Sequence, residues 1–144
     1  MEASSSTMQL TRAADYAVRV MIYLATLPDY QRTTLPALAQ ATGAPKSFLS
    51  KVLQTLSHAG MISSQRGQLG GFEILSQGRA ATVRQVIEAI DGPIALNVCM
   101  ASGPSCERKS HCPAHLVWRK AQTAMLGVLE SATIAALAKE AAAA

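Results

Sequence analysis

The sequence predicts a mainly α fold with a small β-hairpin, in which a winged helix-turn-helix is followed by a long C-terminal dimerisation helix. Three observations favour this class. The 144 residues are 49% hydrophobic but only 4% aromatic, a composition that favours helices over a β-sandwich. Apolar residues recur at helical spacing in most segments. A glycine-rich stretch, Arg66–Gly71, separates two short runs with strand character and predicts a hairpin.

Three helices are predicted in the N-terminal half from the residues at their ends. Threonine suits the position just before a helix because its hydroxyl accepts a hydrogen bond from the first turn. Proline suits the first turn because its missing N–H is not needed there, and glycine or proline ends a helix. The predicted helices run from Thr11 to about Leu27, from Thr34 to Gly43, and from about Pro45 to Gly60.

The hairpin follows the third helix. Its predicted strands cover 61–65 and 72–75, and the glycine-rich stretch between them forms the tip. Two helices joined by a short glycine-containing turn and followed by a hairpin form a winged helix-turn-helix.

Three further helices are predicted in the C-terminal half. Thr82 opens one of them, and Gln85 is placed to complete a capping box. A long helix begins after Pro113 and runs to about Glu130, and a short one covers 133–140. The long helix carries more apolar positions than a small wing domain can cover, so a homodimer is expected.

The predicted organisation has four parts: a leader at 1–7, a DNA-binding domain at 8–80, a loop with dimerisation helices at 81–140, and a tail at 141–144. The leader lacks the basic start and apolar run of a secretory signal. No apolar stretch is long enough to span a membrane. A cytoplasmic protein is expected, since a reducing compartment keeps thiols free.

The cysteines, three in number, fall in one polar segment: Cys99, Cys106 and Cys112. A structural cysteine is usually buried alone as a small hydrophobe, whereas thiolates hold iron–sulfur clusters. Structural zinc sites usually show closely spaced cysteine pairs, and these cysteines are separated by six and five residues. Three thiols in one short segment therefore predict a single soft metal centre, and an iron–sulfur cluster, zinc, a cofactor-free thiol switch and inert cysteines remain the alternatives. Three cysteines leave one coordination position for a weaker ligand.

The net charge of +4 suggests an anionic partner. On the third helix, a polar face opposite the apolar stripe is free to enter the major groove of DNA, and Arg66 at the hairpin tip can reach the minor groove or a phosphate. No nucleophile–base pair or phosphate-binding loop supports an enzyme. The predicted face comprises Lys46, Ser47, Ser50, Lys51 and Gln54.

Residues 8–140 resemble the Rrf2 superfamily of bacterial regulators, in particular its IscR and NsrR types. Three segments carry the resemblance: the opening Met8–Arg19, the wing Ser64–Phe72, and Cys112–Trp118. The resemblance implies a homodimeric transcription regulator that binds a pseudo-palindromic operator. It also implies a cluster, 2Fe-2S or 4Fe-4S, that senses redox, nitric oxide or iron–sulfur status. One departure is the six-residue gap between the first two cysteines, where IscR and NsrR have five.

The resemblance offers two candidates for the fourth ligand. His115 follows Cys112 by three residues in a context similar to IscR, and it is the preferred candidate. Asp15 matches the NsrR aspartate that reaches the partner subunit's cluster. Without the resemblance, we would expect His115 to be a helix-capping surface histidine and Asp15 to be a first-turn carboxylate that is favourable to the helix dipole.

Overall fold

The computed structural model describes residues 10–68, 70–95 and 113–143. The predicted leader at 1–7, the three cysteines and the last residue of the tail lie outside the described residues. The described elements are α1 (Arg12–Thr26), α2 (Leu35–Thr42), α3 (Lys46–His58), β1 (Ile62–Gln65), β2 (Gly71–Ile74), α4 (Ser76–Ala80), α5 (Val83–Asp91), α6 (Pro113–Ser131) and α7 (Ile134–Ala143).

Three helix starts confirm the predicted threonine caps, whereas Pro45 lies at the N-cap, just before α3, and not in its first turn. The Thr11 and Thr34 side chains accept hydrogen bonds from the backbone N–H groups of Ala14 and Ala37. Thr82 and Gln85 form both hydrogen bonds of a capping box at the start of α5. Such caps satisfy N–H groups that have no partner within the helix.

Helix α1 lies at the centre of the fold. It packs against α7, α5, α3 and α2, and its inner side chains are fully buried. The core combines this face with the apolar stripe of α3 and single residues from other elements. Its largest fully buried side chains are Met21, Leu24, Leu38, Leu49, Leu53, Leu56, Ile62, Ile134, Val20 and Val86.

The hairpin is the predicted wing. Strands β1 and β2 are antiparallel, with Ile62 opposite Ile74 and Gln65 opposite Gly71. Each observed strand starts or ends within one residue of its predicted bounds. The fold class predicted from the sequence, mainly α with one small hairpin, is confirmed.

Two features were not predicted. Helix α4 follows β2 directly, and a Cβ atom on its Gly78 would overlap the carbonyl oxygen of Met61, so tight packing places this short helix. Helix α7 continues through Ala143 instead of ending at Glu140, because alanine has the highest helix propensity. Within the described ranges, no helix is both long and apolar enough to cross a bilayer.

Candidate DNA-reading surface and metal centre

The outer face of α3 is built as the sequence predicts. Its inner residues Leu49, Val52 and Leu56 are buried in the core, which fixes the rotation of the helix. The opposite face is therefore presented outwards as a row of hydrogen-bonding and cationic groups. All five of its predicted residues are exposed: Lys46, Ser47, Ser50, Lys51 and Gln54.

Arg66 lies at the tip of the wing and is exposed. The N–H of Gly70 donates to the carbonyl oxygen of Gly67 at 3.0 Å, which closes the turn that carries it. Among the described residues, Arg66, Lys46 and Lys51 form no ion pair. Cations without a protein partner are available to phosphate oxygens or base edges.

His115 lies in the first turn of α6 and is 7% exposed, the one buried polar side chain among the described residues. Its Nδ1 atom finds no hydrogen-bond partner there. A buried polar atom without a partner is costly and calls for an explanation. An imidazole nitrogen three residues after Cys112 suits a metal centre, because histidine replaces cysteine in some iron–sulfur sites. The burial and unpartnered nitrogen of His115 are therefore compatible with its predicted place as the fourth ligand.

Asp15 is in a different setting. Its Oδ1 lies 3.2 Å from Nε of Arg19, one turn along α1, and the two side chains are 44% and 57% exposed. This is an ordinary surface pair of the kind that contributes little to stability. Asp15 is thus exposed but already has a cation beside it.

Of the predicted metal ligands, the three cysteines lie outside the residues that the structure describes. No group of three or more His, Cys, Asp or Glu side chains that could hold a metal lies within 10–68, 70–95 and 113–143. Cys99, Cys106 and Cys112 fall outside those ranges, so their arrangement with His115 stays a prediction.

The residues that precede the cysteines are tied to the rest of the fold by contacts that sequence reasoning missed. The Thr11 hydroxyl donates to the carboxylate of Asp91, at the end of α5. Glu88 accepts from Nε of Arg84 at 3.2 Å and from the N–H of Ile94 at 3.5 Å. The four-residue spacing of Arg84 and Glu88 is a signal in the sequence, whereas nothing local indicates the contact between Thr11 and Asp91.

Helix α6 presents an apolar surface to solvent. Val117 and Val128 are 58% and 69% exposed, and Ala121 and Ala124 between them are also exposed. Their spacing of four, three and four residues is a heptad-like stripe. The small central residues would let a second helix approach closely.

Comparison with known proteins finds one family model that matches nearly all of the described residues. The family model "Rrf2: Iron-dependent Transcriptional regulator" matches residues 10–140. The chain is 34% identical over 137 residues to Rv1287 of Mycobacterium tuberculosis, a protein named as an HTH-type transcriptional regulator, with 91% of this chain and 81% of that protein covered.

Solved structures that share the fold include these two. One is CymR, the global cysteine regulator of B. subtilis, with a TM-score of 0.75, 25% identity, and coverage of 92% of this chain and 98% of that chain. The other is IscR of T. potens, with a TM-score of 0.71, 25% identity, and coverage of 93% and 88%.

Proposed function

Because the chain belongs to the Rrf2 family of transcriptional regulators, we propose that it is a homodimer that binds an operator and responds to the state of an iron–sulfur cluster. The family consists of DNA-binding regulators and not of enzymes. The observation that carries the cluster proposal is the buried Nδ1 of His115, which finds no hydrogen-bond partner among the described residues.

The proposed cluster ligands are the thiolates of Cys99, Cys106 and Cys112 with a nitrogen of His115. The likeness to IscR of T. potens and the family's description as iron-dependent support this set. A bound cluster, 2Fe-2S or 4Fe-4S, supplies a centre that oxidants or nitric oxide can alter. Asp15 is the alternative fourth ligand, contributed from the other subunit.

The proposed reading surface is the outer face of α3 together with Arg66. Helix α3 enters the major groove through Lys46, Ser47, Ser50, Lys51 and Gln54, and the wing reaches the adjacent minor groove or backbone. Two such surfaces in a dimer match a pseudo-palindromic site. The apolar stripe of α6 supports pairing with a second copy.

The cluster can influence the reading surface through α1. Thr11, the cap of α1, contacts Asp91 next to the segment that carries the cysteines, and α1 packs on α3. A change in that segment therefore has a short route of direct contacts to the reading helix. We place the protein in the cytoplasm, where a bacterial regulator meets the chromosome.

The test is DNA binding in two cluster states. Protein purified without oxygen is used to enrich duplexes from a random-sequence library, and its affinity for the enriched duplex is compared with that of the same protein after air exposure. We expect the affinity to change by about 5- to 150-fold, the usual range for coupling between two sites. Equal affinity in both states would contradict cluster-controlled binding.

A second candidate keeps the DNA binding and omits the cofactor: regulation by thiol oxidation. The likeness to CymR, a global cysteine regulator, favours it. It predicts colourless protein even after anaerobic purification, and sensitivity to a disulfide-forming oxidant alone. Zinc in stoichiometric amount would instead indicate the zinc-binding variant of this regulator.

A further inference from the structure

The wing is attached to the helix-turn-helix by a third extended segment. Thr33, two residues before α2, donates its N–H to the carbonyl oxygen of Phe72 at 2.9 Å and accepts from the N–H of Phe72 at 2.8 Å. Phe72 belongs to β2, so the backbone that leads into α2 pairs with the wing. The angle of the wing is therefore linked to α2, which packs on the reading helix α3.

The approach at this joint is close. Gly71 has φ +124°, in the region that L side chains rarely adopt, and a Cβ atom there would lie 2.6 Å from the carbonyl oxygen of Thr33. A side chain at position 71 would push the two segments apart. The joint is thus a direct backbone contact with no intervening side chain.

Arg32 and Glu73 face each other across the joint. Thr33 and Phe72 form an isolated antiparallel bridge, and next to it positions 32 and 73 are opposed, where side chains can come close. Nη2 of Arg32 lies 3.0 Å from Oε1 of Glu73.

This ion pair is the most buried one among the described residues. The side chains of Arg32 and Glu73 are 22% and 12% exposed, whereas every other pair has at least one partner that is 36% exposed or more. Nη1 of Arg32 is buried and finds no hydrogen-bond partner among the described residues. Its guanidinium depends on Glu73 for compensation, and breaking such a pair costs more than breaking a surface pair.

We propose that Arg32 and Glu73 are positioning residues for DNA binding: their ion pair fixes the wing relative to α2 and α3, and so places Arg66 on the DNA. Neither residue contacts DNA in this role. The inference rests on the proposed reading surface of α3 and Arg66.

The change in net charge and the loss of wing positioning predict opposite effects on DNA affinity when Glu73 is replaced. Glu73→Thr keeps a residue suited to a strand and raises the net charge by one, which by charge alone strengthens DNA binding. Loss of positioning weakens it instead. The control Glu140→Thr makes the same charge change at an exposed site on α7.

The experiment measures affinity for a duplex enriched from a random-sequence library by the wild-type protein, for Arg66→Ala and Glu73→Thr separately and combined. We expect Glu73→Thr to weaken binding about fivefold or more and Glu140→Thr not to weaken it. Arg66→Ala should lower the affinity about tenfold in the wild-type background. In the Glu73→Thr background it should lower the affinity less than about threefold, because the wing is already misplaced.

The exchanged variant Arg32→Glu/Glu73→Arg keeps the pair and the net charge, and it should recover most of the affinity. It also covers the case in which Glu73→Thr fails to fold, which circular dichroism detects. Equal costs of Arg66→Ala in both backgrounds, tighter binding by Glu73→Thr, or a folded exchanged variant without recovered affinity would overturn the inference. Failure of the wild type to enrich any duplex would overturn the proposed reading surface itself.

Discussion

The hydroxyl of Thr11 lies 2.8 and 2.9 Å from the two carboxylate oxygens of Asp91, although the residues are 80 positions apart in the chain. The same hydroxyl accepts a hydrogen bond from the N–H of Ala14 at 3.1 Å. One side chain therefore caps α1 and also attaches the end of α5 to it. Asp91 ends α5, so this attachment lies just before the segment that leads to the cysteines.

This double role predicts a stability difference between two close variants. Thr11→Val removes the hydroxyl and both hydrogen bonds, and it should lower the free energy of unfolding by about 1–2 kcal/mol. Thr11→Ser keeps the hydroxyl and should change the free energy of unfolding by less than about 0.5 kcal/mol. Urea denaturation followed by circular dichroism measures both. Equal losses for the two variants would show that the hydroxyl contributes nothing.

The exposed lysines of α3 predict a change in the salt dependence of DNA binding. If Lys51 contacts a phosphate, Lys51→Ala lowers the slope of log affinity against log salt concentration by about 0.9. Lys139→Ala, an exposed lysine on α7, serves as the matched control and should leave the slope unchanged. Identical slopes for both variants would remove Lys51 from the reading surface, and Lys46→Ala would then be measured in the same way.

The apolar stripe of α6 predicts the site of dimer contact. Val128 is 69% exposed, and Met125 beside it is half-buried. Val128→Asp places a charge on the expected interface and should give monomers in sedimentation, since burying an unpaired charge is costly. Thr123→Asp, on another face of the same helix, should leave the dimer intact. A monomeric wild-type protein would contradict the proposed assembly.

The fourth cluster ligand is tested by comparing three variants of anaerobically purified protein. His115→Ala should change the absorption spectrum or the stability of the cluster more than Asp15→Ala does, because the buried Nδ1 of His115 has no other described partner. His58→Ala, an exposed histidine at the end of α3, should change neither. A spectrum altered only by Asp15→Ala would reverse the assignment.

Local signals account for the part of the fold that the sequence predicts. Helix starts at Thr11, Thr34 and Thr82 depend on hydrogen bonds within one turn, so short sequence patterns are sufficient to identify them. The outer face of α3 follows from its apolar stripe in the same way. The short helix α4 depends instead on contact with Met61, which is not visible in local sequence.

Long-range pairs limit what could be predicted of the site. The exposure of Arg66 follows from the hairpin pattern, but its attachment through Arg32 and Glu73 joins segments that are far apart in the chain. The burial of His115 depends on tertiary packing too. From the residues alone it reads as a surface histidine, and only the family resemblance indicated a ligand.

The most direct test of the proposed function is the iron and sulfide content of protein purified without oxygen. The account predicts brown protein with iron and inorganic sulfide in similar amounts, and a Mössbauer spectrum of a 2Fe-2S or 4Fe-4S cluster. Cys99→Ala, Cys106→Ala and Cys112→Ala should each lose the colour and the iron while circular dichroism shows unchanged helix content. Colourless wild-type protein, or full iron retention in all three variants, would contradict it.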